Sequence, residues 1–159
     1  ESELRRLEQI WDFARNQHAG EEPWLCGRYT VADAFFAPIA ARIAGYGLQV
    51  SGSANAYVEA HLEDTAFRRW RAIGRVQGQI LPWYDRDYPR TDWSGPAPLE
   101  ASALENGTPV NSACPFSGKP VKDLAMIEGH VIGFCNPFCR DKVVADAAAW
   151  PEVMDLLER

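Results

Sequence analysis

The 159 residues are 47% apolar and 24% charged, the balance of a soluble globular chain with one modest core and room for an appendage. A formal net charge of −6 argues against general binding to nucleic acid or to an anionic membrane face, since both need a basic field, and leaves small molecules and proteins as partners. No run approaches the ~18 consecutive apolar residues of a membrane helix, and the charged start Glu1-Ser2-Glu3-Leu4-Arg5-Arg6 is followed by no apolar signal core. The expectation is a cytoplasmic chain. It opens without a methionine, directly into helical periodicity, as a piece of a longer protein would.

Leu4, Leu7, Ile10, Trp11 and Ala14 recur at helical spacing and predict a first amphipathic helix that closes at His18-Ala19-Gly20. A second apolar run spans Ala34 to Tyr46. Thr30 and Asp33 before it have capping-box spacing, with Asp in place of the usual Glu or Gln. Val31, Phe35, Phe36, Ile39, Ala40 and Ile43 spread over more than one face of that helix and predict burial on most sides, while Pro38 predicts a kink. Ser51 to Ser53 offer caps for a helix over Ala54 to Leu62, and Asp64 caps another over Thr65 to Ile80.

From Pro82 to Ser112 prolines and glycines interrupt every periodicity, which predicts an extended linker pinned by Trp83, Tyr84, Tyr88 and Trp93. The expected organisation is a helical domain over 1–84, a linker over 85–111 and a small module over 112–159. The fold class is mainly α with a small β-hairpin-plus-helix unit at the end.

The stretch Pro23 to Arg42, with Gly27, Thr30, Ala32 and Asp33 in order, resembles the C-terminal helical domain of glutathione transferases. Tyr46-Gly47 and the run Ala56 to Leu62 are similar to bacterial members. The resemblance implies a helical bundle that lines the pocket for a hydrophobic electrophile. It also implies a thioredoxin-like domain upstream that binds and activates glutathione, and a family habit of homodimers. The expected activity is conjugation of glutathione to an electrophile by the longer protein, with none from this chain alone. No catalytic residue is assigned. Thr30 and Asp33 act as caps, Cys26 beside Trp24 and Leu25 reads as a small buried hydrophobe, and Arg28, Tyr29, Tyr46 and Trp83 are candidates for a substrate cleft.

Three of the four cysteines fall within positions 114 to 139, which favours metal ligation over disulfides. Cys114 sits in the turn Cys-Pro-Phe-Ser-Gly-Lys-Pro, a knuckle able to aim a thiolate and backbone amides at one point. Leu124 to Ile127 and Val131 to Phe134, separated by Glu128-Gly129-His130, predict a hairpin that returns the chain to the knuckle. Cys135 and Cys139 are placed four apart in the first turn of a following helix, on one face, where the helix dipole favours thiolates.

Cysteine, twenty residues, cysteine, three residues, cysteine is similar to the pattern of the TRASH metal-binding family and of related treble-clef fingers. The resemblance implies metal ligation by Cys114, Cys135 and Cys139, zinc first, with Cu(I) or another soft metal chemically reasonable. Ser117 stands where treble-clef knuckles carry a fourth ligand. A neutral hydroxyl is a poor substitute there, and water, His130, Asp123, Cys26 or a group from another chain are the candidates in its place, with His130 read first as a hairpin-turn residue. Three functional readings follow: a metal-stapled tail on a transferase, a non-enzymatic soft-metal binding or sensing module on a helical scaffold, or a metal that only stabilises the tail.

Overall fold

The computed structural model describes residues 2–18, 22–83, 87 and 92–158. Among these are six α-helices, one short 3-10 turn and a three-stranded antiparallel sheet. They fall into two compact units, one formed within residues 1–67 and 89–96, the other within 68–88 and 97–159.

The first unit is helical. Helix α1, Ser2–Gln17, buries Trp11 completely, in edge contact with Phe36 and Tyr57. Gly20, the expected stop, lies outside the described residues. Helix α2, Val31–Gly45, starts one residue after Thr30, as the capping spacing predicts, and runs on through Pro38. Its inward stripe is Asp33, Ala40 and Ile43, three residues at helical spacing. Burial on most sides does not hold: Val31 is 72% and Phe35 78% exposed, because they share the opposite face of the helix. Helix α3, Gly52–Glu63, is capped by the Ser51 hydroxyl, which accepts from the Ala54 N–H, and contributes Tyr57, Val58, His61 and Leu62 to the core.

The centre of this unit is polar. Asp33 is fully buried and all its hydrogen-bond partners come from its own unit. One carboxylate oxygen accepts from the Leu25 N–H at 3.1 Å and the Tyr57 hydroxyl at 2.9 Å. The other accepts from the Thr30 N–H at 2.7 Å and the Thr30 hydroxyl at 2.8 Å. The capping box thus forms, and it also ties the loop before α2 to α3. His61, likewise buried, lies within hydrogen-bond distance of the Tyr57 and Asp33 carbonyls, at 3.0 and 2.9 Å.

Helix α4, Thr65–Gln77, begins at the Asp64 cap, whose carboxylate accepts from the Phe67 N–H at 2.8 Å. The division between the compact units falls inside α4, between Phe67 and Arg68.

The second unit is built on the sheet β1 (Ala101–Leu104), β2 (Asp123–Ile127) and β3 (His130–Phe134), in that spatial order. β1 lies within the stretch read as an extended linker. It pairs Ala101 with Ile127 and Leu104 with Leu124. Pro89 and the aromatics Tyr84 and Tyr88 lie outside the described residues. β2 and β3 form the predicted hairpin through the two-residue turn Glu128-Gly129, both at positive φ, and His130 joins β3 rather than the turn. Helix α5, Pro137–Ala145, the 3-10 turn Ala147–Ala149 and helix α6, Pro151–Leu157, follow. Ala125, Ile127, Ile132, Phe134, Val143 and Val153 are fully buried in its core, which Ala72 of α4 also joins.

The arginines of α4 hold the C-terminal segment. Arg68 makes a two-pronged, largely buried contact with Asp146 at 2.9 and 2.6 Å, Arg69 donates to the Ala149 carbonyl at 2.7 Å, and Arg75 to the Ala145 carbonyl at 3.3 Å. A bidentate guanidinium–carboxylate pair adds geometric specificity that a lysine would not supply.

Burial pushes the Asp33 carboxyl up, but donation from the Leu25 N–H, the Thr30 hydroxyl and N–H, and the Tyr57 hydroxyl holds it below its ordinary value. Asp33→Ala orphans these buried donors and should cost on the order of 3 kcal/mol, read by urea denaturation followed by circular dichroism. Because the folded value is depressed, the stability that Asp33 contributes is present above the unfolded carboxyl value near pH 4 and is lost as pH falls through the lower folded value. In Asp33→Asn that part of the acid dependence should disappear.

Candidate metal centre

The first ligand is placed by a turn. The Cys114 N–H donates to the Lys119 carbonyl and the Gly118 N–H to the Cys114 carbonyl, both at 2.9 Å, and Ala113 bridges Pro120. Gly118 sits at φ +67, a left-handed conformation that glycine adopts without strain, so the chain folds back tightly after Ser117. The Asn111 side chain fastens the knuckle to the sheet: its amide donates to the Ala113 and Gly133 carbonyls at 2.7 and 2.9 Å and accepts from the Gly133 N–H at 2.7 Å. One side chain thereby links the segment before Cys114 to the strand that precedes Cys135.

The other two ligands are placed by a helix start. Asn136 is the N-cap of α5, its side-chain Oδ1 accepting from the Cys139 N–H at 2.9 Å, and Pro137 takes the first helical position, where its missing N–H costs nothing. Cys135 therefore lies just before the helix and not in its first turn, which corrects the sequence reading. Its thiol still lies 3.9 Å from that of Cys139.

The three thiols converge. Their sulfurs all lie within 4.8 Å of one another, close enough to hold one metal ion. Cys114 and Cys139 are buried and Cys135 is half-buried. The Ser117 hydroxyl and the Asn136 side-chain amide each donate to the Cys135 sulfur at 3.2 Å, so Ser117, which stands in the place of a fourth ligand, acts here as a donor to a thiol.

Of the remaining candidates, His130 is exposed, with its ring against the Glu128 carbonyl, and Asp123 is paired with Arg140 at 3.3 Å. Cys26 packs against the core of the helical unit, as a small hydrophobe does. Among the described residues none of these three belongs to the sulfur group. Arg28, Tyr29 and Tyr46 lie in the helical unit, where Tyr29 meets Trp24 edge to face, and Trp83 lies in the other, so no single unit gathers the four proposed cleft residues.

The electrostatics of the cluster are uneven. Burial pushes the Cys114 thiol up, but donation from the Phe116 N–H, the Ser117 hydroxyl and the Cys135 and Ser117 N–H groups brings it down to about 7. Burial and then the neighbouring Cys135 and Cys114 thiols push Cys139 up to about 11. Three sulfurs this close repel one another as thiolates, and a bound cation removes that repulsion. The donor set, all soft sulfur with N–H groups aimed at it, fits zinc or a soft monovalent ion and does not fit the hard cations that take oxygen ligands.

Compared with known proteins, the chain matches no family model, no curated protein and no solved structure. No helix among the described residues is long and apolar enough to cross a membrane.

Sequence reasoning named the three thiols and missed the residues that orient them. Asn136 was legible, since Asn followed by Pro is the signature of a helix start. Asn111 and Lys142 carry no local signal, because their roles depend on strands and rings distant in sequence. Asn136→Ala should remove both the α5 cap and a donor to Cys135, and cost about 1 kcal/mol in thermal unfolding of the second unit.

Proposed function

We propose that this chain is a metal-binding protein that holds one zinc ion through the thiolates of Cys114, Cys135 and Cys139 in a treble-clef-like module. The convergence of three sulfurs within 4.8 Å carries this reading. A knuckle, a hairpin and a capped helix start are the parts such a module uses, and all three are formed by this sequence. Three protein ligands rather than four leave a coordination position for water or an exchangeable thiol, unlike the closed four-ligand sets of structural zinc. The same chemistry accepts Cu(I) as the alternative ion.

Metal content of the full chain, purified under reducing conditions and measured by plasma mass spectrometry, tests it. The wild type should carry about one equivalent of zinc and Cys135→Ser markedly less, since a structural zinc site contributes on the order of 10 kcal/mol through its full ligand set. A wild type that carries and takes up neither zinc nor copper overturns the reading.

The second reading concerns the helical unit. We propose that it is of the glutathione-transferase C-terminal type, in a protein that joins glutathione to a hydrophobic electrophile. The capping box at Thr30 and Asp33 and the burial of Asp33 beneath Tyr57 support it. In this reading the helices shape the pocket for the electrophile and supply no thiol-activating group, so the purified chain should not conjugate glutathione to an aromatic halide. Measurable turnover in a spectrophotometric conjugation assay would place such a group among these residues and sink that division of labour.

A further inference from the structure

Lysine is rarely buried, because its ammonium loses its hydration, yet Lys142 is only 9% exposed. It lies on α5 one turn after Cys139, on the same face. Its ammonium stands 3.5 Å from the centre of the Phe116 ring, in the knuckle two residues after Cys114, and 4.0 Å from the centre of the Trp150 ring, with Phe138 farther off at 5.7 Å. The Trp150 indole N–H donates to the Lys142 carbonyl at 3.3 Å, which fixes that ring beside the helix. The side chain thus runs between two aromatic faces, one of them in the knuckle that carries Cys114.

Ring faces attract a cation but do not neutralise it. Burial lowers the Lys142 pKa, while Cys139, Glu152 and Cys114 act in the opposite direction and Arg69 repels. Glu152 already faces Arg69 at 3.6 Å and is half-exposed, and no carboxylate among the described residues forms an ion pair with Lys142, which leaves Cys139 and Cys114 as the other groups that favour its charge. Seen from the sulfurs, the count closes as well. A divalent ion among three thiolates leaves one negative charge in a low-dielectric site, and one ammonium cancels it.

We propose that Lys142 is the counter-ion of the metal–thiolate centre, a positioning residue that tightens metal binding by its charge and touches no ligand position itself. This rests on the reading of Cys114, Cys135 and Cys139 as metal ligands. The rings of Phe116 and Trp150 hold the ammonium inside the unit that carries the three cysteines without offering it a competing carboxylate. An apolar side chain of the same length would keep the packing and lose the charge.

The test compares the full-length wild type, Lys142→Met and Lys142→Arg for zinc affinity, by competition with a chromophoric chelator, and for the thiolate-to-metal charge-transfer band of the Co(II)-loaded forms. Lys142→Met should bind zinc about 10- to 100-fold more weakly, the range that loss of a supporting partner around a metal site produces, and shift the Co(II) band. Lys142→Arg, which keeps the charge, should restore most of the affinity. Wild-type affinity and an unmoved band in Lys142→Met overturn the counter-ion role while leaving the metal centre standing, as does an arginine variant as weak as the methionine one, which would mark a role in shape. A wild type that binds neither zinc nor Co(II) overturns the metal centre and the counter-ion together. Lys142→Gln is read in the same way should circular dichroism show Lys142→Met unfolded.

Discussion

Mutual repulsion among three sulfurs is the constraint around which the second unit is arranged. Thiols from a turn and from a helix start, separated by twenty intervening residues, meet within 4.8 Å, a crowding that no apolar core requires. Hydrogen-bond donors lower the cost of negative charge at Cys114, while burial and the neighbouring thiols raise it at Cys139. The knuckle amides and the Ser117 hydroxyl face Cys114, the Asn136 amide faces Cys135, and an ammonium lies between the rings of Phe116 and Trp150. In the helical unit the same problem appears once, at Asp33, and is met by four donors from its own surroundings rather than by a cation. A carboxylate satisfied by fixed dipoles is complete as it stands. A group of thiols partly satisfied by dipoles still attracts a positive ion.

Helices with local signals were legible. The Thr30–Asp33 cap and the Asp64 cap place two helix beginnings to the residue, because a side chain hydrogen-bonded three residues along is a property of the local text, whereas the start of α5 lies after Cys135 rather than at it. Exposure was less legible: Val31 and Phe35 look like core residues in the sequence and stand exposed on α2, since hydrophobicity does not say which face meets a neighbour. Strand β1 was hidden for another reason. Ala-Ser-Ala-Leu has little strand propensity and lies among prolines and glycines, and only its pairing with β2 makes it a strand.

At the candidate metal centre the three cysteines were visible through spacing and residue type, while the residues that position them were not. Cysteines are scarce enough that a cluster of three stands out. An asparagine such as Asn111, which bridges the carbonyls of Ala113 and Gly133 with its side-chain amide, looks like any turn residue until β3 is laid beside it. The buried lysine looks like part of the charged run Arg140-Asp141-Lys142. The place of a fourth ligand shows the converse: Ser117 stands there by position, and its hydroxyl donates to Cys135.

The arginines of α4 bear on how the second unit could have been inherited. Asp146 is nearly buried and its guanidinium partner, Arg68, comes from 78 residues earlier in the chain. A segment that begins at the proline-rich stretch and runs through α6 would carry the Asp146 carboxylate without its cation, a loss that typically costs about 3–5 kcal/mol where the carboxylate stays buried. It would also lose the donors that Arg69 and Arg75 bring to the Ala149 and Ala145 carbonyls. The three cysteines therefore do not form a cassette that recombination can lift out at the proline-rich stretch. Any transfer to a new host protein must bring the latter part of α4 with it, or let the new host supply a guanidinium in the same place.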